Sequence, residues 1–549
     1  MSQTSTIVVS SSIELQEDPD ALATRRDTSQ GNTSSNEEYP RGIRFILLTI
    51  GLVLSIFLAA LDSTIISTAI PKITNQFGTV ADVGWYGSGY AVTNAAFQST
   101  WGKAYKYFPI KQIFLTTIMV FELGNVVSAT AQSSAAMILG RVIAGVGGGG
   151  VMTGCFIVIA FSSKPQYRAA YMGVLGVTFG CAAVIGPLMG GVLSDGPGWR
   201  WCFWISLPIG FAAAAIMALT FRPPAAARPA EAARREKVAN LDLPGSLLVM
   251  TALIAFVLGT QLSTHHGWTS WRTILCLTSF GFLLSLFAYN EYRMESRAII
   301  QTHLLKSRRI VMNLLFSFLI AGLFFPLSYM LPIQFQTISN TSASQSGIRL
   351  IPLQLGVSIF TMVANGIITF WKHYTPFLLA GALSATIGVV MVHQLAADAS
   401  IAKWIGFEIL AASGIGLSLQ IPMIANQALV GMEDMASVTS LTLFCENVGQ
   451  ALFIAATEAV FTSGLIESLK DRKTALDPET VINTGATQIR TAVSKEELSE
   501  VLASYLRGCK DSHWVPIACG IAAVAVSMVA SVPGVRRELG RWRKKADRR

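Results

Sequence analysis

An all-α polytopic membrane protein is the fold class this sequence predicts, and three observations carry it. Of 549 residues, 52% are hydrophobic and only 13% charged, a balance foreign to soluble domains of that length. Apolar runs of roughly twenty residues, enough to cross a hydrocarbon core as a helix, recur about fourteen times. Grouped by the basic links between them, they read as two six-helix bundles plus two inserted central helices, the plan of transporters that rock two halves about a midplane site.

Taken in order, residues 1–42 are rich in Ser, Thr, Asp and Glu, lack a long apolar run and predict a disordered cytosolic tail. Spans are expected near Phe45–Ile70, Trp85–Ala104, Ile113–Ala131, Ala135–Phe161, Ala170–Leu193 and Cys202–Phe221, an N-terminal bundle over 43–222. A linker carrying Arg228, Arg234, Arg235 and Lys237 leads to the inserted spans Leu243–Leu262 and Thr273–Tyr289, within 223–292. Spans near Ile310–Gln334, Gly347–Phe370, Pro376–His393, Ile401–Ala425, Val438–Ser463 and Trp514–Val532 complete a C-terminal bundle over 293–534. Its stretch 464–512 is of mixed charge and reads as an exterior loop, and 535–549 is a basic cytosolic tail.

Lys and Arg in the short connections set orientation. With the N-terminus inside, Lys103, Lys106, Lys111, Lys164, Arg168 and Lys372 all fall on the cytosolic side, as do both basic links and both termini. The net charge of +9 therefore reads as topology and not as a nucleic-acid-binding face. The seven cysteines are odd in number and lie mostly inside apolar runs, so neither a disulfide framework nor a metal site is expected. The run Gly145–Gly150 lies within a span and lacks the lysine of a phosphate-binding loop. With no nucleotide signature and no cofactor site, an ion gradient is left as the energy source.

Ionisable groups inside apolar spans cost about 2.5 kcal/mol or more each at the centre and are functional candidates by default. Asp62 sits in the outer third of the first span and Arg141 at similar depth in the fourth, so the two can pair. A proton on Asp62 would break such a pair; a static structural ion pair is the alternative. Glu122, mid-way along the third span with Asn125 one turn on, is a second proton-carrier candidate, or else a neutral acid bonded to a neighbouring helix. Gln420, Gln427, Glu446, Asn447 and Gln450 in the second half, with Asn125 from the first, suit a cavity for a cargo with several carbonyl and hydroxyl groups, though such residues also hold helices together. Trp85, Tyr86, Tyr90, Phe324, Phe325, Tyr329 and Phe444 are candidates for its apolar wall.

The fifth span is studded with helix weakeners. Gly173, Gly176, Gly180, Ala183, Pro187 and Gly190 fall on one stripe, which lets a neighbouring helix approach closely. Gly173 followed by Gly186-Pro187-Leu188-Met189-Gly190-Gly191 resembles the antiporter motif of the major facilitator superfamily. Arg141-Val142-Ile143-Ala144-Gly145 resembles that superfamily's fourth-helix motif, with Ala144 at the usual glutamine. The stretch from Leu61 to Pro71 and the run Trp199–Pro208 resemble the fourteen-span drug:proton antiporter family. The loop Gly102–Lys111 is similar to the superfamily's gating loop but carries Lys106 at the aspartate and Pro109 at the second glycine, so the usual acidic contact is not expected.

The resemblance implies a major facilitator fold and a non-enzymatic, monomeric, proton-coupled efflux pump in the plasma membrane, or in a vesicle or vacuole. A fungal toxin or secondary metabolite is the cargo it points to, with Asp62, Glu122 and Arg141 coupling protons and the stripe around Pro187 forming the outer contact that opens and closes. A proton-coupled uptake permease for siderophores or basic amino acids, or a transporter-like receptor, shares the fold. The sequon at Asn340 is expected outside and glycosylated, and that at Asn32 inside.

Overall fold

A computed structural model of the chain describes Pro40 and residues 42–546, apart from 78–82, 225–226, 232, 295–296, 372, 397–398, 473–480, 482–492 and 494–496. The tail before Pro40, the Asn32 sequon and Lys372 lie outside the described residues. All regular structure among the described residues is helical.

The first half comprises α1 (Ile43–Phe77), α2 (Val83–Tyr107), α3 (Ile110–Thr130), α4 (Ser134–Ser162) and α5 (Arg168–Asp195), then a broken pair, α6 (Trp201–Trp204) and α7 (Ser206–Thr220). After α8 (Arg234–Ala239) comes the inserted hairpin of α9 (Leu243–His266) and α10 (Trp271–Met294). The short α11 (Thr302–Leu305) precedes the second half: α12 (Arg308–Thr337), α13 (Ala343–Arg349), α14 (Ile351–Trp371), α15 (Thr375–His393), α16 (Ile401–Ser418) and α17 (Ile421–Leu429). A 3-10 turn, Met432–Asp434, then leads into α18 (Met435–Asp471), followed by α19 (Leu498–Ser512) and α20 (Trp514–Ala546).

Thirteen helical stretches among the described residues are long and apolar enough to cross a membrane. The helix α2, at 25 residues, has the length but not the hydropathy. Its Asn94, Gln98, Ser99, Thr100 and Lys103 are all buried, so its polarity is turned inward instead of toward lipid. With α2 the expectation of about fourteen spans stands.

Local signals account for several boundaries. Ser133 opens α4 by accepting a bond from the Ala136 amide at 3.3 Å, and Asp242 opens α9 by accepting from Gly245 at 3.1 Å. Ser342 and Gln345 form a reciprocal capping box at α13. The first helix runs through Pro71 to Phe77 instead of stopping at Ile70. Its extra turns are pinned from the Trp199 region, where Trp199 Nε1 and Arg200 Nη1 donate to Gln76 Oε1 at 2.8 and 3.0 Å.

Helices in lipid cohere by close packing, since lipid tails are as apolar as leucine. The glycine run of α4 serves this: a Cβ on Gly145 would collide with α2 at Thr93 and Tyr90, and one on Gly147 with α3 at Phe121. A buried apolar cluster joins Val92 and Ala95 of α2, Val249 and Leu253 of α9, and Val438 and Leu441 of α18. The inserted hairpin therefore sits across the line where the halves meet. Beyond the expected end at Ser463, α18 continues to Asp471, and the amphipathic α19 folds back on it through Leu465, Leu469, Val501 and Tyr505.

Candidate functional site

A cavity of about 220 Å³ lies between the halves, lined from α1, α2, α4 and α5 on one side and from α12, α14, α17 and α18 on the other. Its centrepiece is charged. Arg141 of α4 donates from Nη1 to Asp62 Oδ2 of α1 at 2.7 Å, with the two side chains 1% and 0% exposed. Arg141 Nε donates to the Tyr86 carbonyl at 3.0 Å, and the guanidinium lies over the Tyr90 ring, 4.6 Å from its centroid. Such a pair survives in a dry interior because each charge meets its opposite and Nε is also engaged, although Asp62 Oδ1 is buried with no hydrogen-bond partner among the described residues. Arg141 lines the cavity, whereas Asp62 lies behind it.

Glu446, Asn447 and Gln450 project into the cavity from α18, and Gln420 from the break between α16 and α17. Asn447 Nδ2 donates to Gln98 Oε1 of α2 at 2.7 Å, a bond that crosses from one half to the other. Gln98 in turn donates to Thr153 at 3.0 Å. Gln420 Oε1 accepts from Asn365 Nδ2 at 2.9 Å. Tyr90, Phe324 and Phe325 contribute apolar wall, joined by Phe156 and Phe179, which the sequence did not single out. Asn94, Gln98 and Gln354 were missed as well, although Tyr90, Asn94 and Gln98 recur one per turn along α2.

Two expected cavity residues are corrected. Asn125 is fully buried but does not line the cavity, because α2 and α4, not α3, form that wall. Gln427 is also buried away from it, donating to Thr439 at 2.8 Å and fixing α17 to α18. Glu122 lies outside the cavity too: its carboxyl packs against Gly210 of α7, where a Cβ would collide with it.

The stripe on α5 divides into two parts. At the end where α5 begins, which also carries Lys106, Lys111 and Lys164 and is termed the basic end, the stripe faces the other half. Gly173 lies where a Cβ would come 3.3 Å from Asn365, Gly176 against Gln420, and Gly180 where a Cβ would collide with Ser358 of α14. Toward the opposite end, Gly186 and Gly190 instead press on Thr64 and Thr68 of α1, within their own half, and a Cβ on Gly191 would meet nothing within 4 Å. The expected outer contact around Pro187 is thus a contact inside the first half. The joint between halves is the part of the stripe toward the basic end.

The loop Gly102–Lys111 adds a second joint at the basic end. A Cβ on Gly102 would collide with Ser440 of α18. Lys106 Nζ lies 2.9 Å from Asp434 Oδ1, so the acidic contact not expected from the sequence is made with its polarity inverted. Lys103 is buried and donates to the Arg297 carbonyl, while Lys111 donates to the Ala218 carbonyl. Asn340 sits at an exposed turn with φ 53° between α12 and α13. No cluster of three or more His, Cys, Asp or Glu that could hold a metal occurs among the described residues.

The family model of the Major Facilitator Superfamily matches residues 52–454. The chain is 37% identical over 504 residues to the MFS-type transporter thnB of Trichoderma harzianum, covering 91% of this chain and 87% of that one. It is 38% identical to the probable efflux pump gsfJ of Penicillium aethiopicum, covering 89% and 88%, and 35% identical to the MFS-type efflux pump MFS1 of Arthroderma benhamiae, covering 93% and 95%. Among solved structures, the human organic anion transporter MFSD10 aligns with TM-score 0.57 at 14% identity over 89% of this chain and all of its own. A bacterial homologue of the lysosomal transporter Spinster, inward-facing and unoccupied, aligns with TM-score 0.57 at 17% identity, covering 90% and 98%.

Proposed function

The chain belongs to the Major Facilitator Superfamily and is a membrane transporter, and on that premise we propose that it exports a small organic compound in exchange for protons. Its relatives gsfJ and MFS1 are a probable efflux pump and an efflux pump. The observation that carries the coupling is the sealed Asp62–Arg141 pair at the wall of a cavity lined by both halves. A proton on Asp62 removes its charge, and the guanidinium it held then faces the cavity with half its hydrogen bonds gone. Breaking a buried pair costs about 3–5 kcal/mol, enough to shift the balance between two conformations by orders of magnitude.

Glu446 faces the same cavity, and no ion pair is formed there by it among the described residues. It is the carboxyl best placed to exchange protons and to meet a hydroxyl or amine of the cargo. Glu122, packed against α7, acts on the first half and not on the cargo. The lining mixes aromatic walls with carboxamides, which fits an apolar-bodied compound carrying carbonyl and hydroxyl groups, as secondary metabolites do. The basic end faces the cytosol, in agreement with the excess of Lys and Arg there. The transporter acts as a monomer in the plasma membrane.

The test is accumulation in cells. Cells expressing the chain and exposed to a panel of fungal secondary metabolites should hold less of at least one, and a protonophore should erase the difference. Higher accumulation than in control cells would establish uptake instead.

A further inference from the structure

Three bodies meet at one carboxylate on the basic end. Asp434 closes the 3-10 turn that leads into α18, in the second half. Its Oδ1 takes Lys106 Nζ, from the last turn of α2 in the first half, at 2.9 Å. Its Oδ2 takes His303 Nε2, from α11 in the segment between the inserted hairpin and the second half, at 3.0 Å. The acid lies just ahead of the N-terminus of a 37-residue helix, where the helix dipole favours negative charge.

Exposure divides the roles. The side chains of Lys106 and Asp434 are 17% and 26% exposed, whereas that of His303 is 50% exposed. The pair is shielded while the imidazole is open to water. Directly beneath lies the joint at which α2 and α18 touch backbone to side chain, Gly102 against Ser440. Opening of the basic end parts both contacts together.

We propose that Lys106, Asp434 and His303 form a latch across the two halves that a proton on His303 tightens. Histidine changes charge between about pH 5 and 8. Neutral, His303 gives Asp434 one hydrogen bond. Protonated, it gives a second ion pair. Other charged groups close to the three are Lys103, one turn before Lys106 on α2, Glu433 of the turn, Lys306 after α11, Arg308 and Arg309 opening α12, and Arg168 of α5, which reaches Met435 next to Asp434. Among the described residues none of these forms an ion pair with the three. Acid at this end therefore holds it shut. In a pump that brings protons in as cargo leaves, a consequence that rests on the antiport reading, local acidification by each turnover slows the next opening.

The test needs neither cargo nor a gradient. Full-length protein carrying Ser440→Cys is purified, treated with a bulky impermeant maleimide at about pH 6 and pH 8, and mapped by mass spectrometry, with labelling normalised to the unfolded chain. Labelling should be about two- to fivefold lower at the acid pH, the range of a partly exposed ion pair. His303→Gln, which keeps the hydrogen bond without the charge, should flatten the dependence, and His303→Lys should keep labelling low at both values. Ala436→Cys serves as the reporter if Ser440→Cys fails to fold. Labelling that does not change with pH, or a change that survives His303→Gln, overturns the latch. Because nothing is transported, the outcome stands apart from whether the protein pumps at all.

Discussion

Arg141 and Asp62 meet 2.7 Å apart in the interior of the first half, yet only Arg141 reaches the cavity. The carboxylate is thus hidden behind the cation it neutralises, and in the proposed exchange a change in its protonation would reach the cargo through the guanidinium.

Replacing Arg141 with lysine should lower export by at least about tenfold, because a lysine ammonium cannot bond both Asp62 and the Tyr86 carbonyl while stacking on Tyr90. Transport rate per molecule at the membrane is the measurement. Arg141→Ala leaves Asp62 buried and unpaired, and should abolish export. Full export by either variant would reduce the pair to a scaffold.

Gly180→Val should prevent the basic end from closing, since any side chain at this position collides with Ser358. Export should fall about tenfold or more and return in part with Ser358→Gly. Gly191→Ala, where a Cβ meets open space, should change transport little. Equal effects of the two glycine changes would refute the division of the stripe.

Cavity and scaffold polar residues should separate kinetically. Asn447→Leu removes the donor to Gln98 and should raise the KM for cargo several-fold. Gln427→Met removes the donor to Thr439, which keeps its own bond to the Met435 carbonyl, and should cost about 1 kcal/mol of stability, seen as a lower Tm with KM unchanged. Asn125→Leu should likewise leave KM unchanged. A KM effect from Gln427 or Asn125 would move the binding site.

Asn340, exposed at its turn, should carry sugar in a eukaryotic host, seen as a mobility shift removed by an endoglycosidase and by Asn340→Gln. Sugar on Asn32 would invert the proposed orientation.

The helical plan was legible because hydrocarbon allows only helices and closed barrels, apolar runs of about twenty residues select the helix, and their number gives the number of crossings. Asp62 with Arg141 was legible for a related reason: two lone charges at equal depth in oil are most stable together. Sequence could not say which face of a helix meets which neighbour. Asn125 and Gln427 are as polar as Asn447, but the first is screened by α2 and α4 and the second is spent on Thr439. The stripe on α5 read as one surface, yet its part toward the basic end meets α14 and its opposite part α1. Lys106 at an aspartate's place read as a lost contact because Asp434, 328 residues away in sequence, could not be known to lie opposite.

Flux in sealed vesicles under an imposed pH difference tests the exchange most directly. With the full-length protein reconstituted and an exported compound found from the cell panel, the compound should accumulate on the more acidic side, toward the source of protons, and the pH difference should collapse faster in its presence. Movement of the compound that is indifferent to the pH difference, or no movement at all, would contradict the account.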